Sequence, residues 1–356
     1  MSVSTDTYDG AATPPAAAPA RRGSQYSELL RQVRSAGLLE RRPGRYAFRI
    51  ALNGALVAAG GAGVAALGDS WWQLLLAAYF GLVFTQLGFF GHDAGHRQIF
   101  RSGRANDVLG IVHANLLIGL SYGWWTNKHN RHHSHPNDVD EDPDVGSGAI
   151  AWTADQAERR GRFGRFVARH QAYLFFPMLL LEAMHLHVAS VRALLARSAR
   201  RRAVEATLLT VHFAAYLGVL VLVMSPLHAV LFVLVQQGVF GLYLGCAFAP
   251  NHKGMPMLSA QDELDYLRRQ VLTARNVRGG WLVDYVLGGL NYQIEHHLFP
   301  SMPSPSLARC QPLVQAFCRE HGLPYREVGP FRSYALVLRY LHQVGASVRR
   351  RTAPQT

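Results

Sequence analysis

The sequence predicts an all-α integral membrane protein. Two transmembrane helical hairpins, four spans in all, are expected to carry a helical cap that holds a histidine-rich site for two metal ions. Three observations lead there. Four apolar windows contain no charged residue, arginines crowd only the segments outside them, and histidines gather in short groups at or beyond their ends.

The windows are Ile50–Gly68, Ser70–Gly91, Ala206–Met224 and Pro226–Ala249. Each is close to or above the roughly 20 residues that cross a bilayer as a helix. Four of them in 356 residues are hard to bury in a soluble core. The first is rich in Ala and Gly, small residues that let it pack closely against the second. Only Asp69 separates those two, and Ser225 separates the third from the fourth, so each pair should form a hairpin.

The net charge of +13 is almost all arginine, because Lys128 and Lys253 are the only lysines. Arg41, Arg42, Arg45 and Arg49 precede the first span. Arg159, Arg160, Arg162, Arg165, Arg169 and Arg200–Arg202 lie between the hairpins, and Arg349–Arg351 in the tail. The hairpin turns carry none. By the positive-inside rule both termini, the central segment and every histidine group are cytoplasmic. The expected location is the cell (inner) membrane. Nucleic acid is not an expected partner, since no basic-aromatic motif accompanies the charge. Cys246, Cys310 and Cys318 are few and irregularly spaced, which excludes a disulfide framework. Residues 1–20 are polar and Ala/Pro-rich without an apolar run, so they read as disordered rather than as a signal peptide.

Taken in order, Ser24–Gly37 is expected to form a short amphipathic helix with Tyr26, Leu29, Leu30 and Val33 on its apolar side. The apolar stretch between Asp107 and Gly123 is short for a span and reads as re-entrant, interfacial or buried. Trp124 and Trp125 suit an interfacial belt better than a channel wall. A polar loop follows His133. Tyr173–Leu181, with a proline inside, should lie in the interface. From Asn251 the chain is expected to be helical in pieces, including Pro305–Glu320.

The chemistry sits in four groups: His92 and His96; His129, His132 and His133; His252; and Gln293, His296 and His297. Residues i, i+3 and i+4 share one helix face, so each multiple group presents its side chains together. The third repeats the second with an amide in first place. Gln293 is then either a weak ligand or a hydrogen-bond partner beside the site. Imidazole ligates iron, zinc, copper and nickel. Eight imidazoles exceed what one tetrahedral or octahedral ion needs, which points to two ions. His113, His170, His185, His187, His212 and His228 lack such partners and read as core or interface residues, and His135 as a loop cap. No Glu-x-x-His pair accompanies the ligands, unlike the soluble di-iron bundles.

The three boxes resemble those of the integral-membrane fatty acid desaturase family. So do the flanking hairpins, the acidic stretch Asp140–Asp144 and Asn291–Pro300. The resemblance covers roughly residues 45–325. Glutamine opening the third box is similar to the acyl-lipid and front-end subgroup. The resemblance implies two iron ions and O2 acting on the acyl chain of a lipid or acyl thioester. His92, His96, His129, His132, His133, His252, His296 and His297 would be the ligands. Asp93, Asn251, Gln293, Glu295 and the acids of Asp140–Asp144 are candidates for orienting the rings. No His-Pro-Gly-Gly haem motif occurs, so the expected electron donor is a separate ferredoxin or cytochrome b5 with its reductase. The implied division is an N-terminal cytoplasmic segment (1–45), a membrane desaturase domain (46–325) and a C-terminal cytoplasmic tail (326–356). A related lipid hydroxylase or ketolase, or a non-enzymatic zinc protein, are the competing readings.

Overall fold

A computed structural model describes residues 24–196 and 201–352. The polar start expected to be disordered lies outside the described residues. In chain order the helices begin with α1 (Ser24–Ser35), α2 (Pro43–Leu67), α3 (Gln73–Gly95), α4 (Gly103–Ile111) and α5 (Tyr122–Ser134). They continue with α6 (Ala154–Glu158), α7 (Arg162–Leu179), α8 (Glu182–Leu195), α9 (Arg202–Val223) and α10 (Pro226–His252). Then come α11 (Tyr266–Thr273), β1 (Asn276–Val277), α12 (Trp281–Val286), α13 (Gln293–Leu298), α14 (Ser304–Glu320), β2 (Glu327–Val328) and α15 (Pro330–Thr352). The two-residue strands pair in parallel and are the only named sheet among the described residues.

Helices α2, α3, α9 and α10 are long and apolar enough to cross a membrane. They fall on the four expected windows, with α3 and α10 running further, to Gly95 and His252. Large side chains face outward along them, and Leu222 is 87% exposed. Such surfaces belong in lipid rather than water. The two hairpin turns meet at one end of the bundle. Asp69 accepts hydrogen bonds there from the Ser225 amide and hydroxyl, and its carboxylate bonds the His228 ring. Trp71 and Trp72 are exposed at this end and give it an aromatic belt. Helices α3 and α10 both run away from these turns, so they are parallel and deliver their C-terminal residues to the opposite end.

The stretch expected to be re-entrant or buried is the latter in its details. After α4 the backbone widens into a π-helix over Val112–Leu117 and turns at Gly119 (φ +70°). A Cβ at Gly119 would lie 2.6 Å from the His212 ring. The carbonyls this departure leaves free are taken by two histidines, one on α9 and one on α8. His212 Nδ1 donates to Leu116 (2.8 Å) and His187 Nδ1 to Gly119 (2.8 Å). Glu205, just ahead of the third apolar window, is buried and pins the start of α5. It accepts from the Ser121 hydroxyl (2.6 Å), the Asn115 amide (3.2 Å) and the Gly123 N–H (3.2 Å). Ser121 also caps α5 by accepting from the Trp124 N–H.

Helices α7 and α8 meet at an 81° bend and leave Phe163, Phe166, Tyr173 and Leu181 exposed. Helices α1, α11, α13 and α14 enclose a separate apolar core. Leu29 and Val33 of α1 sit in it with Ile294, Leu298, Val314 and Phe317. Helix α15 packs Val337 and Leu341 against Phe175 and Leu179 of α7. Gly241 of α10 lets the bend approach, because a Cβ there would lie 2.6 Å from the Leu179 carbonyl and 2.8 Å from the Ala183 nitrogen. Gly241→Ala is therefore expected to cost about 1–3 kcal/mol of stability. Gly61→Ala, where a Cβ meets nothing within 4 Å, should be near neutral. Thermal unfolding of the detergent-solubilised protein compares the two, and equal melting temperatures would remove this packing argument.

Candidate metal centre

Two of the long helices end at the same place and deliver three of the eight ligands. Helix α3 brings His92 near its last turn, with His96 just beyond it, and α10 brings His252 as its last residue. The short helices α5 and α13 supply the rest. All eight proposed ligands are buried and converge, but in two groups. His92, His96, His129, His133 and His296 form one, and His132, His252 and His297 the other. Neighbours on α5 and on α13 are divided between them, as residues about 100° apart on a helix must be.

The rings are oriented from behind. His92 Nδ1 bonds Asp93 (3.1 Å), and His132 Nδ1 bonds Asp142 (2.9 Å). His252 Nδ1 donates to the Thr273 carbonyl (2.9 Å), and His297 Nδ1 to Gln270 Oε1 (2.8 Å). With the Nδ1 proton so committed, each Nε2 carries a lone pair aimed inward. Burial holds the imidazoles of His96, His129, His133, His296 and His297 well below their usual pKa, and the neighbouring rings add to the effect. Burial thus favours the neutral form, the one that ligates metal.

Whether these residues fit a metal is testable on the bare nitrogens. The Nε2 atoms of His92 and His96, Nδ1 of His133 and both nitrogens of His296 are buried with no hydrogen-bond partner. In the second group, where each Nδ1 is committed elsewhere, the imidazoles meet lone pair to lone pair. His252 Nε2 lies 3.0 Å from His297 Nε2 and 3.4 Å from His132 Nε2, and His129 and His133 approach to 3.1 Å. Neighbouring nitrogens around an ion with metal–nitrogen bonds of about 2.1 Å are about 3.0–3.4 Å apart. Unpaired buried acceptors at that spacing fit cations and little else.

The residues expected to orient the rings divide. Asp93 does so, and its other oxygen accepts from the Tyr46 hydroxyl (2.9 Å) and from Ser304. Of the acidic stretch, Asp142 carries the role and also accepts from the Asn137 N–H (2.8 Å). Asp144 lies 3.5 Å from His132 and pairs with Lys128, while Lys253 donates to its carbonyl (3.1 Å). The chain's only two lysines thus meet there. Asn251 acts one step removed, donating to Gln293 Oε1 (3.2 Å). That bond occupies the amide oxygen and turns the Gln293 NH2 toward His252 Nε2 (2.9 Å). As oriented here, Gln293 offers the site a donor rather than a ligand oxygen.

Glu295 departs from expectation. It points away from the rings to Asn276 (2.7 Å) and Tyr325 (2.8 Å), and burial raises its carboxyl to about 7. Trp125 departs too: its ring stacks on His129 at 4.5 Å between centroids, so it walls the site instead of lying in a belt. Gln270 and Thr273 were not anticipated. Gln270 also donates to the His133 carbonyl (3.0 Å), which ties the second box to the third.

If Asp142 orients His132, Asp142→Ala should weaken metal retention about 10–100-fold. Asp140→Ala, at an exposed side chain in the same loop, should leave it unchanged. Metal content by elemental analysis across a chelator titration checks this, and equal retention in the two variants would dismiss the role.

Comparison with known proteins places this arrangement. The fatty acid desaturase family model matches residues 69–329. An acyl-lipid (9-3)-desaturase of Physcomitrium patens is 32% identical over 76% of this chain, which spans 53% of that protein's length. A Delta(8)-fatty-acid desaturase of Euglena gracilis is 29% identical over 92% of this chain and 80% of its own length. The Delta(5) fatty acid desaturase fat-4 of Caenorhabditis elegans is 32% identical over 70% of this chain and 58% of its own. With its histidine boxes inside the matched region, this chain belongs to the fatty acid desaturase family.

Proposed function

We propose that the chain introduces a double bond into the acyl chain of a lipid or acyl thioester, with O2 as oxidant and two iron ions as the metal. The observation that carries this is the division of eight buried imidazoles into two adjoining groups. His92, His96, His129, His133 and His296 would hold one iron, and His132, His252 and His297 the other. An unactivated methylene offers no acid or base a handle, so the chemistry the irons would supply when bound is the activation of O2. In balance, two hydrogens leave adjacent carbons, O2 takes them with two further electrons and two protons, and two waters form. The electrons come one at a time from a separate carrier such as ferredoxin or cytochrome b5 with a reductase.

The protein's own part is geometric. Asp93, Asp142, Gln270 and the Thr273 carbonyl hold the rings through Nδ1, and Gln293 places an N–H donor beside His252. Trp125 covers His129 and keeps that side of the site apolar. The arginine-rich ends of the spans favour a cytoplasmic site in the cell (inner) membrane. Residues 46–325 form the reacting domain, and α1 and α15 brace it.

Expression in a host that lacks the activity, followed by lipid mass spectrometry, is expected to yield acyl chains lighter by two hydrogens. Gain of oxygen instead would reassign the chain to hydroxylation. His96→Ala or His297→Ala should reduce the product to background with the protein still inserted. Product at the unsubstituted level in either variant would sink the ligand assignment. Zinc rather than iron in the active purified protein would overturn the choice of metal.

A further inference from the structure

The proposed reaction leaves open what carries the acyl chain. A cleft of about 530 Å³ opens between the first turns of α2 and helix α12. Arg45, Phe48 and Arg49 line one wall as a single helical stripe, Trp281 and Tyr285 line the other, and Ser304 lies at its floor. Neither guanidinium is ion-paired among the described residues; Arg49 lies 5.3 Å over the Phe90 ring instead. Asp284, the one lining carboxylate, already accepts from the Asn291 amide (2.8 Å) and the Tyr292 hydroxyl (3.2 Å). The cleft therefore holds two guanidiniums against one carboxylate that is turned to other partners, a net positive charge.

Its rim is apolar and faces outward. Phe48 is 69% exposed, Trp281 is 80% exposed, and α12 buries none of its residues. Aromatic side chains so placed at the start of a span sit at headgroup depth. The floor adjoins the metal centre. Ser304 bonds one oxygen of Asp93, and the other oxygen holds His92.

We propose that this cleft seats the phosphate of an acyl phospholipid, gripped by Arg45 and Arg49, with the glycerol and upper acyl chains against the aromatic rim. Guanidinium matches phosphate oxygens in geometry and charge. A carrier dissolved in water would have no use for a lipid-facing apolar rim. The proposal rests on the desaturase reading for its substrate but not for its binding.

The test uses the full chain in neutral detergent. Phosphatidylglycerol labelled at an acyl end is titrated into the unsubstituted protein, Arg45→Gln/Arg49→Gln and Arg45→Lys/Arg49→Lys. The Gln pair is expected to lose about tenfold or more in apparent affinity, and the Lys pair to recover part of it. Labelled diacylglycerol, which lacks the phosphate, should bind all three alike. If the Gln pair does not fold, Arg45→Gln alone, at an exposed side chain, decides by the same titration. Unchanged phosphatidylglycerol affinity overturns the proposal. So does a desaturation rate on acyl-coenzyme A that equals the rate on phosphatidylglycerol vesicles. Weakened binding in the Gln pair with no product from any carrier upholds the headgroup site and overturns the desaturase reading instead.

Discussion

Eight imidazoles are buried with their ring nitrogens facing one another, and the rest of the molecule is arranged around that fact. Buried acceptors without donors are costly, each on the order of 1–3 kcal/mol. A fold that assembles this many in one place needs cations to offset the cost. It also needs rigid walls, since rings left free would turn their N–H groups inward. The walls are supplied from a distance. Asp93 on α3 and Asp142 in the loop after α5 each hold a ring, and so do Gln270 and the Thr273 carbonyl at the end of α11. The parallel course of α3 and α10, tied at their far ends through Asp69 and Ser225, brings His92 and His252 to one level.

The membrane imposes a second constraint, which α8 and α9 satisfy. Backbone groups at that depth need partners within the protein. Where the chain widens between Val112 and Leu117, His187 and His212 serve the freed carbonyls. Two histidines that belong to no metal group thus support the turn that delivers Ser121 and α5. Glu205 performs a similar service from the start of α9.

Much of this was legible beforehand, and for identifiable reasons. Span hydrophobicity and the short links at Asp69 and Ser225 declared the hairpins, and i, i+3, i+4 spacing declared the ligand faces. Windows drawn as charge-free apolar runs stopped at Gly91 and Ala249, although α3 reaches Gly95 and α10 ends at His252. The backs of the rings were less legible. Thr273 acts through its carbonyl, which every residue type possesses, and Gln270 lies 27 positions from the His297 ring it orients. Glu295 misled through proximity in sequence: adjacent to His296 on α13, it faces Asn276 and Tyr325 across the helix. Trp125 read as a belt residue because its sequence neighbourhood does not reveal that α5 lays it on His129.

Helices α5 and α13 each split consecutive histidines between the two groups, His132 from His133 and His296 from His297. The separation of the groups is therefore a property of helical pitch, and no choice of side chain adjusts it gradually. Inserting or deleting one residue in α13, which is only six residues long, would rotate the following rings by about 100° and hand one group's ligand to the other. Point substitutions can drift through the surrounding walls over evolutionary time. The length of these two short helices cannot drift with them, and descendants of this chain should keep it residue for residue.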